Sequence, residues 1–455
     1  MSDLALQTKG RTETAGRVAR ALDVLDARLA PVTLPVGGLA PAARADALAR
    51  LRAMGLPGPR DEYWRYTDPR AFNAPEPAPL PIAQVFPDRF LFDDLDRLRI
   101  VFVDGIFDPA ASDDLTLDGV EITTLAQADA RADARADERA DTGGHWARDL
   151  YGVLEAAGQK PVPRPFAALN TAAAADGVLI RVTGRPARPI HVIHRRRSET
   201  ADVIWHHVVR VENGAEATIL ETGMVGARGN GVMEADIRPG GKLNYVAAKR
   251  AGHQKLGVTH LFARVGEKAQ FKGFALSVNG TLMRHESVID MVGNDAVAHI
   301  AGAVLGDGKV GAFHHDDTVF ITHGAERGES RQVFKKVLKN GATGVFQGKI
   351  LVKPGAQKTD GYQISQALLL DERSQFLAKP ELEIYADDVK CSHGSTTGAI
   401  DEDALFYLRS RGVPHDRAIV FLVLSFLADA LAEVEDDVLR EQINDRLEAW
   451  LVRHS

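Results

Sequence analysis

The chain has 455 residues, 45% hydrophobic and 26% charged, an ordinary soluble make-up but too long for one compact core, so two or three domains or a solenoid are expected. A net charge of -7 and a pI near 6.1 argue against nucleic acid as the main partner. One cysteine excludes an internal disulfide, and neither the polar stretch Met1–Thr14 nor the short apolar run Ala418–Leu427 suits a signal peptide or a membrane span, which points to the cytoplasm.

Val18, Leu22, Leu25 and Leu29 recur at helical spacing within Thr14–Ala30. A second helix is predicted over Pro41–Met54, opened by proline and closed by Gly55. Tyr63, Trp64 and Tyr66 form an aromatic and charged cluster within Asp61–Thr67, which reads as a packing anchor. Ala74–Pro87 is proline-rich and reads as a linker, and Arg99–Phe107 as a strand and turn. Ala126–Asp141 repeats Ala-Asp-Ala-Arg, which predicts a solvated helix or no fixed structure. Another helix follows over His145–Ala157.

From about Phe166 helical spacing disappears and Gly, Val, Ile and Thr rise. Gly214, Gly240, Gly266 and Gly293 stand 26, 26 and 27 residues apart, and three and five residues after each comes an apolar side chain, as at Ala217 and Ile219 or Leu243 and Tyr245. Short alternating strands that restart at a fixed period suit the coils of a β-solenoid; a β-sandwich has no reason to keep the period. Beyond Gly293 the spacing drifts, with Gly341 and Asp371 30 apart. After Ile400 helical spacing returns in Asp401–Arg411, Arg417–Leu431 and Asp437–Leu451, with apolar surface to spare for a partner. The expected division is therefore 1–165, mostly helical with a linker; 166–400, a solenoid; and 401–455, a helical domain capping it.

The candidate site is Asp387–Asp401. It holds the only cysteine, Cys391, with His393 two residues on, so an extended strand would present thiol and imidazole on one face. Both are transition-metal donors, although a lone cysteine also serves as a small buried hydrophobe, and two donors do not close a site. Gly341–Lys349 looks like a phosphate loop but fails its spacing and has Ile350 where magnesium needs a hydroxyl. Phe313–Thr318 with His323 is rich in metal donors, yet adjacent strand residues face opposite ways, so at most one of His314 and His315 joins Asp316 or Thr318, and a polar ladder is the preferred reading.

The runs Gln347–Ile350, Ala356–Thr359, Gln363–Leu370, Pro380–Ile384, Ala386–Gly394, Thr397–Gly398 and Leu405–Gly412, with Trp64–Thr67 and Phe166–Thr171 upstream, resemble the SufB/SufD family of iron–sulfur cluster assembly scaffolds. With one cysteine the chain resembles the SufD branch more than the cysteine-rich SufB branch. The resemblance implies a mainly β protein: a right-handed parallel β-helix between N-terminal and C-terminal α-helical regions. It implies no enzymatic activity of its own, but a complex with a SufB-like homologue and a SufC-like ATPase, the latter docking on the C-terminal helices, where Phe406, Tyr407, Arg409 and Arg411 are the candidates. His393, and second to it Cys391, match the motif at the SufB-facing surface, where a transient iron–sulfur cluster would be held with His393 as metal ligand. A homodimer stays open. The competing readings are a solenoid enzyme acting on carbohydrate and an adaptor without cluster chemistry.

Overall fold

The computed structural model describes residues 22–81, 91–136, 144–223, 225–250, 255–309 and 311–454. Between Val178 and Gly398 the alternating segments form short strands dealt in turn to two sheets, each strand pairing in parallel with the strands two before and two after it. That is a parallel β-solenoid, with helices before and after it. At the start of the solenoid Ile106–Phe107 and Val120–Thr124 pair antiparallel and finish the two sheets. At the other end the sheets finish in Gln375–Ile384 and Lys390–Gly398, each paired on one side only.

The register confirms the repeat and corrects its bookkeeping. Glu216 stands beside Lys242, 26 residues on, and later rungs are offset by 28, 27, 32, 31 and 30 residues. Leu243 therefore faces Phe271, not Ala269, because the turn at Gly266 takes two further residues. An even slip leaves every side chain on its expected face.

Most strands have two buried faces; the last two, Gln375–Ile384 and Lys390–Gly398, do not. Phe271, Ala298, Ile300, Val319, Ile321, Phe334 and Phe346 fill the lumen between the sheets. Burying a phenylalanine such as Phe271 contributes about 2–3 kcal/mol. The outer face of one sheet, with Val246, Phe274, Leu276, Ala301 and Val333, is covered by the helices His415–Leu431 and Asp437–His454. Lys335 pairs with Asp429 at 2.8 Å and His299 with Glu433 at 2.9 Å across that contact. These helices thus lie along the flank and do not cap the end as expected; most of their spare apolar surface meets the protein's own solenoid. The outer face of the other sheet is covered by N-terminal helices, among them Pro41–Met54 with Gly55 at its end.

Several elements differ from their sequence reading. Pro165–Ala173 is a helix with all nine residues buried, Asn170 and Thr171 included, and a helix buried all round carries no amphipathic stripe. His145–Ala157 is broken into a short 3-10 turn, Trp146–Asp149, and a helix, Val153–Ala157, by left-handed Gly152. Leu125–Ala136 is a helix but not merely solvated, since Asp129 and Asp133 accept the Leu39 and Gly38 amides at 2.7 Å each. Residues 137–141 of that repeat, residues 82–87 of the linker, Met1–Thr14 and the first part of the Thr14–Ala30 helix lie outside the described residues; residues 22–29 are helical.

Candidate functional site

Cys391 and His393 lie in Lys390–Gly398, the last strand of its sheet. Cys391 pairs with Gly361 and His393 with Gln363. One rung deeper Gln363 pairs with Gln332, and Gln332 with Ile300, which is part of the lumen core. Parallel neighbours in register share a face, so thiol and imidazole both belong to the lumen face of the final rung. With no rung beyond, His393 is exposed and Cys391 only half-covered, packed against Ile350, Val352, Ala356 and Ala386. Burial pushes the Cys391 thiol up, offset only in part by the Gly361 backbone, so the isolated chain holds it protonated at neutral pH. A metal ion, by stabilising the thiolate, would reverse that preference.

The helix Glu402–Ser410 follows at once, its first turn capped by Asp401, whose carboxylate accepts from Asp403 and Ala404 at 3.0 Å each. Leu405 is its buried anchor, whereas Phe406 is 74% and Tyr407 56% exposed. Arg411 lies over the Tyr407 ring at 5.0 Å, and Arg409 is exposed alongside.

The remaining sequence candidates fall into place as structure. Thr343–Val352 is a continuous strand with Gln347 and Gly348 buried, so Gly341–Lys349 makes no phosphate loop. His314 and His315 face opposite ways. His314 Nε2 meets Thr67 Oγ1 at 3.0 Å on the outer face, while His315 Nδ1 meets Asp317 Oδ2 at 3.3 Å inside. Outside, Arg284 bonds Asp316 and Glu286, Arg164 bonds Glu286 at 3.0 Å, and Thr67 donates to Asp316 at 2.6 Å. Burial alone would raise the Glu286 carboxyl, but Arg284, His260 and Arg164 hold it down at about 2. Trp64 sits under Arg284 at 4.3 Å and edge-on to Phe166 at 5.4 Å, the packing anchor its surroundings predicted.

Among the described residues one group of metal-donor side chains converges, His194, His207 and Glu221, all buried in the lumen and overlooked in the sequence because alternation hides which strand residues meet. Glu221 accepts from His194 Nε2 at 3.0 Å and from the Tyr245 hydroxyl. His207 Nδ1 accepts the Val178 amide at 2.9 Å. Neutral His207 therefore carries its proton on Nε2, which leaves no lone pair there for a metal. The group is a hydrogen-bonded carboxylate beside a cavity of about 60 Å³ lined also by Thr259, His285 and Phe334.

Burial holds His260 and His323 at about 4, and burial with the Arg97 charge holds His191 at about 3. These groups are neutral when folded and titrate near 6.5 when unfolded, so the stability they leave intact above about pH 6.5 is lost as pH falls towards 4. Each is expected to remove on the order of 2 kcal/mol at pH 5. Thermal unfolding scanned from pH 7.5 to 5 should show a monotonic fall in Tm, and a flat profile contradicts it.

A final rung that no further strand covers, with a thiol and an imidazole on its lumen face, defines a β-solenoid protein with a donor-bearing open rim, distinct from phosphate-loop ATPases. The family model for the SUF system FeS cluster assembly, SufBD core domain, matches residues 194–426, more than half of the chain, and the chain belongs to this family. It is 27% identical over 416 residues to the iron–sulfur cluster assembly protein SufD of Escherichia coli, covering 88% of this chain and 90% of that protein. A SufBD family protein of Synechocystis is 26% identical over 415 residues, covering 86% of each chain. The chloroplastic protein ABCI7 of Arabidopsis thaliana is 28% identical over 250 residues, covering 53% of this chain and 52% of that one. The SufD-like resemblance and the solenoid expected with it are thereby upheld. No helix among the described residues is long and apolar enough to cross a membrane.

Proposed function

We propose that this SufBD-family protein is a scaffold subunit on which an iron–sulfur cluster is built transiently between its open rim and a SufB-like homologue, with a SufC-like ATPase driving rearrangement. The carrying observation is that His393 and Cys391 stand on the lumen face of a rung that no further strand covers. Two donors cannot close a coordination sphere, so a second chain must supply the rest. The unpaired edges of Gln375–Ile384 and Lys390–Gly398 offer the partner's last strands a place to extend both sheets. In this reading the N-terminal region 1–165 contributes helices that brace one flank and short strands that finish the sheets, 166–400 holds the solenoid, and the helices of 401–455 form the flank that meets the ATPase. ATP is hydrolysed by that partner, and this chain is not itself an enzyme.

Co-expression with a cysteine-rich SufB-like homologue and its ATPase is expected to yield a ternary complex that takes up iron and sulfide. A second copy of this chain on the same edge is the competing outcome, read by its mass. The carbohydrate-enzyme reading has little support, since Glu286 and Asp316, which neighbouring strands bring together on the outer face, are buried and ion-paired. For the ATPase, replacing Phe406 and Tyr407 by serine should weaken its binding at least about tenfold, the scale of losing aromatic anchors. The melting curve of the isolated chain should not move, because both rings are exposed. Undiminished ATPase binding would place that docking elsewhere.

A further inference from the structure

Directly below His393 the lumen holds two side chains that the fold does not satisfy. Gln363 and Gln332 are both fully buried, and neither atom of either side-chain amide has a hydrogen-bond partner. Buried polar groups in native proteins are nearly always bonded, so two adjacent exceptions ask for a cause. They are stacked in register with His393, one rung and two rungs in. The space for the Gln363 amide is also built: a Cβ on Gly348, across the lumen, would stand 2.5 Å from the Gln363 amide carbon. A larger residue at 348 would push that amide out of the lumen. Neighbouring rungs are about 4.8 Å apart, which puts the amide within reach of the imidazole once the ring turns inward.

We infer that Gln363 is the positioning residue for His393: when His393 binds iron at the closed rim, its Nδ1–H donates to Gln363 Oε1, while Gln363 Nε2–H donates to Gln332. An amide acceptor on Nδ1 fixes the tautomer that leaves Nε2 free for the metal and holds the ring plane. The chain Gln332–Gln363–His393 then has its donors and acceptors aligned in one direction. Isolated, the protein carries these amides as a cost to folding, and the metal-bound state uses them. The inference rests on the scaffold reading above and goes further by naming what orients the ligand.

Two measurements test it. In the isolated chain, Gln363→Leu should raise the denaturant midpoint or leave it unchanged, since an unsatisfied polar group is replaced by an apolar one of similar size. A lowered midpoint would mean that Gln363 serves the fold, and would overturn the inference. In the complex with the SufB-like homologue, cobalt(II) is titrated and its visible ligand-field bands are followed, with His393→Ala as the reference. Gln363→Leu is expected to weaken the His393-dependent binding about 10- to 100-fold and shift the bands, the usual effect of losing the hydrogen bond behind a metal-bound histidine. Gln363→Glu, which keeps an acceptor, should restore most of it. A Gln363→Leu complex that binds cobalt like the wild type overturns the positioning role while leaving the scaffold reading intact. A wild-type complex whose cobalt signal ignores His393→Ala overturns both.

Discussion

Replacing His393 with alanine is expected to leave the complex with the SufB-like homologue and the ATPase assembled, while its content of iron and acid-labile sulfide falls at least about tenfold. Assembly should survive because, in the proposed complex, the edge of Lys390–Gly398 would pair through its backbone, and the exposed His393 side chain is not needed for that pairing. Cluster retention should not, because the imidazole is the donor that needs no deprotonation by the partner. Cys391, whose thiol burial pushes up, should matter less, and Cys391→Ser is expected to fall between wild type and His393→Ala. The measurement is metal and sulfide analysis of the complex after anaerobic reconstitution, with size-exclusion chromatography on the same samples. If His393→Ala keeps wild-type cluster content, the chain is an adaptor and the rim has no coordination role.

Arg284→Ala should destabilise the isolated chain by about 3–5 kcal/mol, the cost of removing one member of a buried ionic network. Its guanidinium joins Glu286 and Asp316, both nearly or wholly buried, and stacks on Trp64, so it ties strand to strand and the sheet to the N-terminal cover. Without it, Asp316 keeps Thr67 and Gln347, and Glu286 keeps Arg164, which limits the loss. Urea unfolding followed by tryptophan fluorescence reads it directly through Trp64. A shift below about 1 kcal/mol would mean that the network rearranges around the gap, as when a pair is replaced at little cost.

The repeat was legible because each rung must bury its own apolar face against its neighbours, which imprints a period on Ala217, Leu243 and Phe271 whatever the loops do. The turn that lengthens at Gly266 was not, because no side-chain pattern records how many residues a corner uses. Pro165–Ala173 escaped for the opposite reason: buried on every side, it carries no stripe. The site was half visible. Cys391 and His393 could be named from an i, i+2 spacing, but Gln332 and Gln363 are 31 residues apart and meet only through strand pairing.

By itself the sequence determined the kind of molecule, a solenoid with a thiol and an imidazole on one strand face, since period and alternation are local properties of the chain; its motif runs carried the resemblance to the SufBD family that the family match bears out. Only the tertiary structure decided that this strand comes last, that the C-terminal helices cover a flank and leave the rim open, and that two unsatisfied amides lie beneath His393. Those facts depend on which surfaces compete for burial across hundreds of residues, and no local pattern encodes the winner.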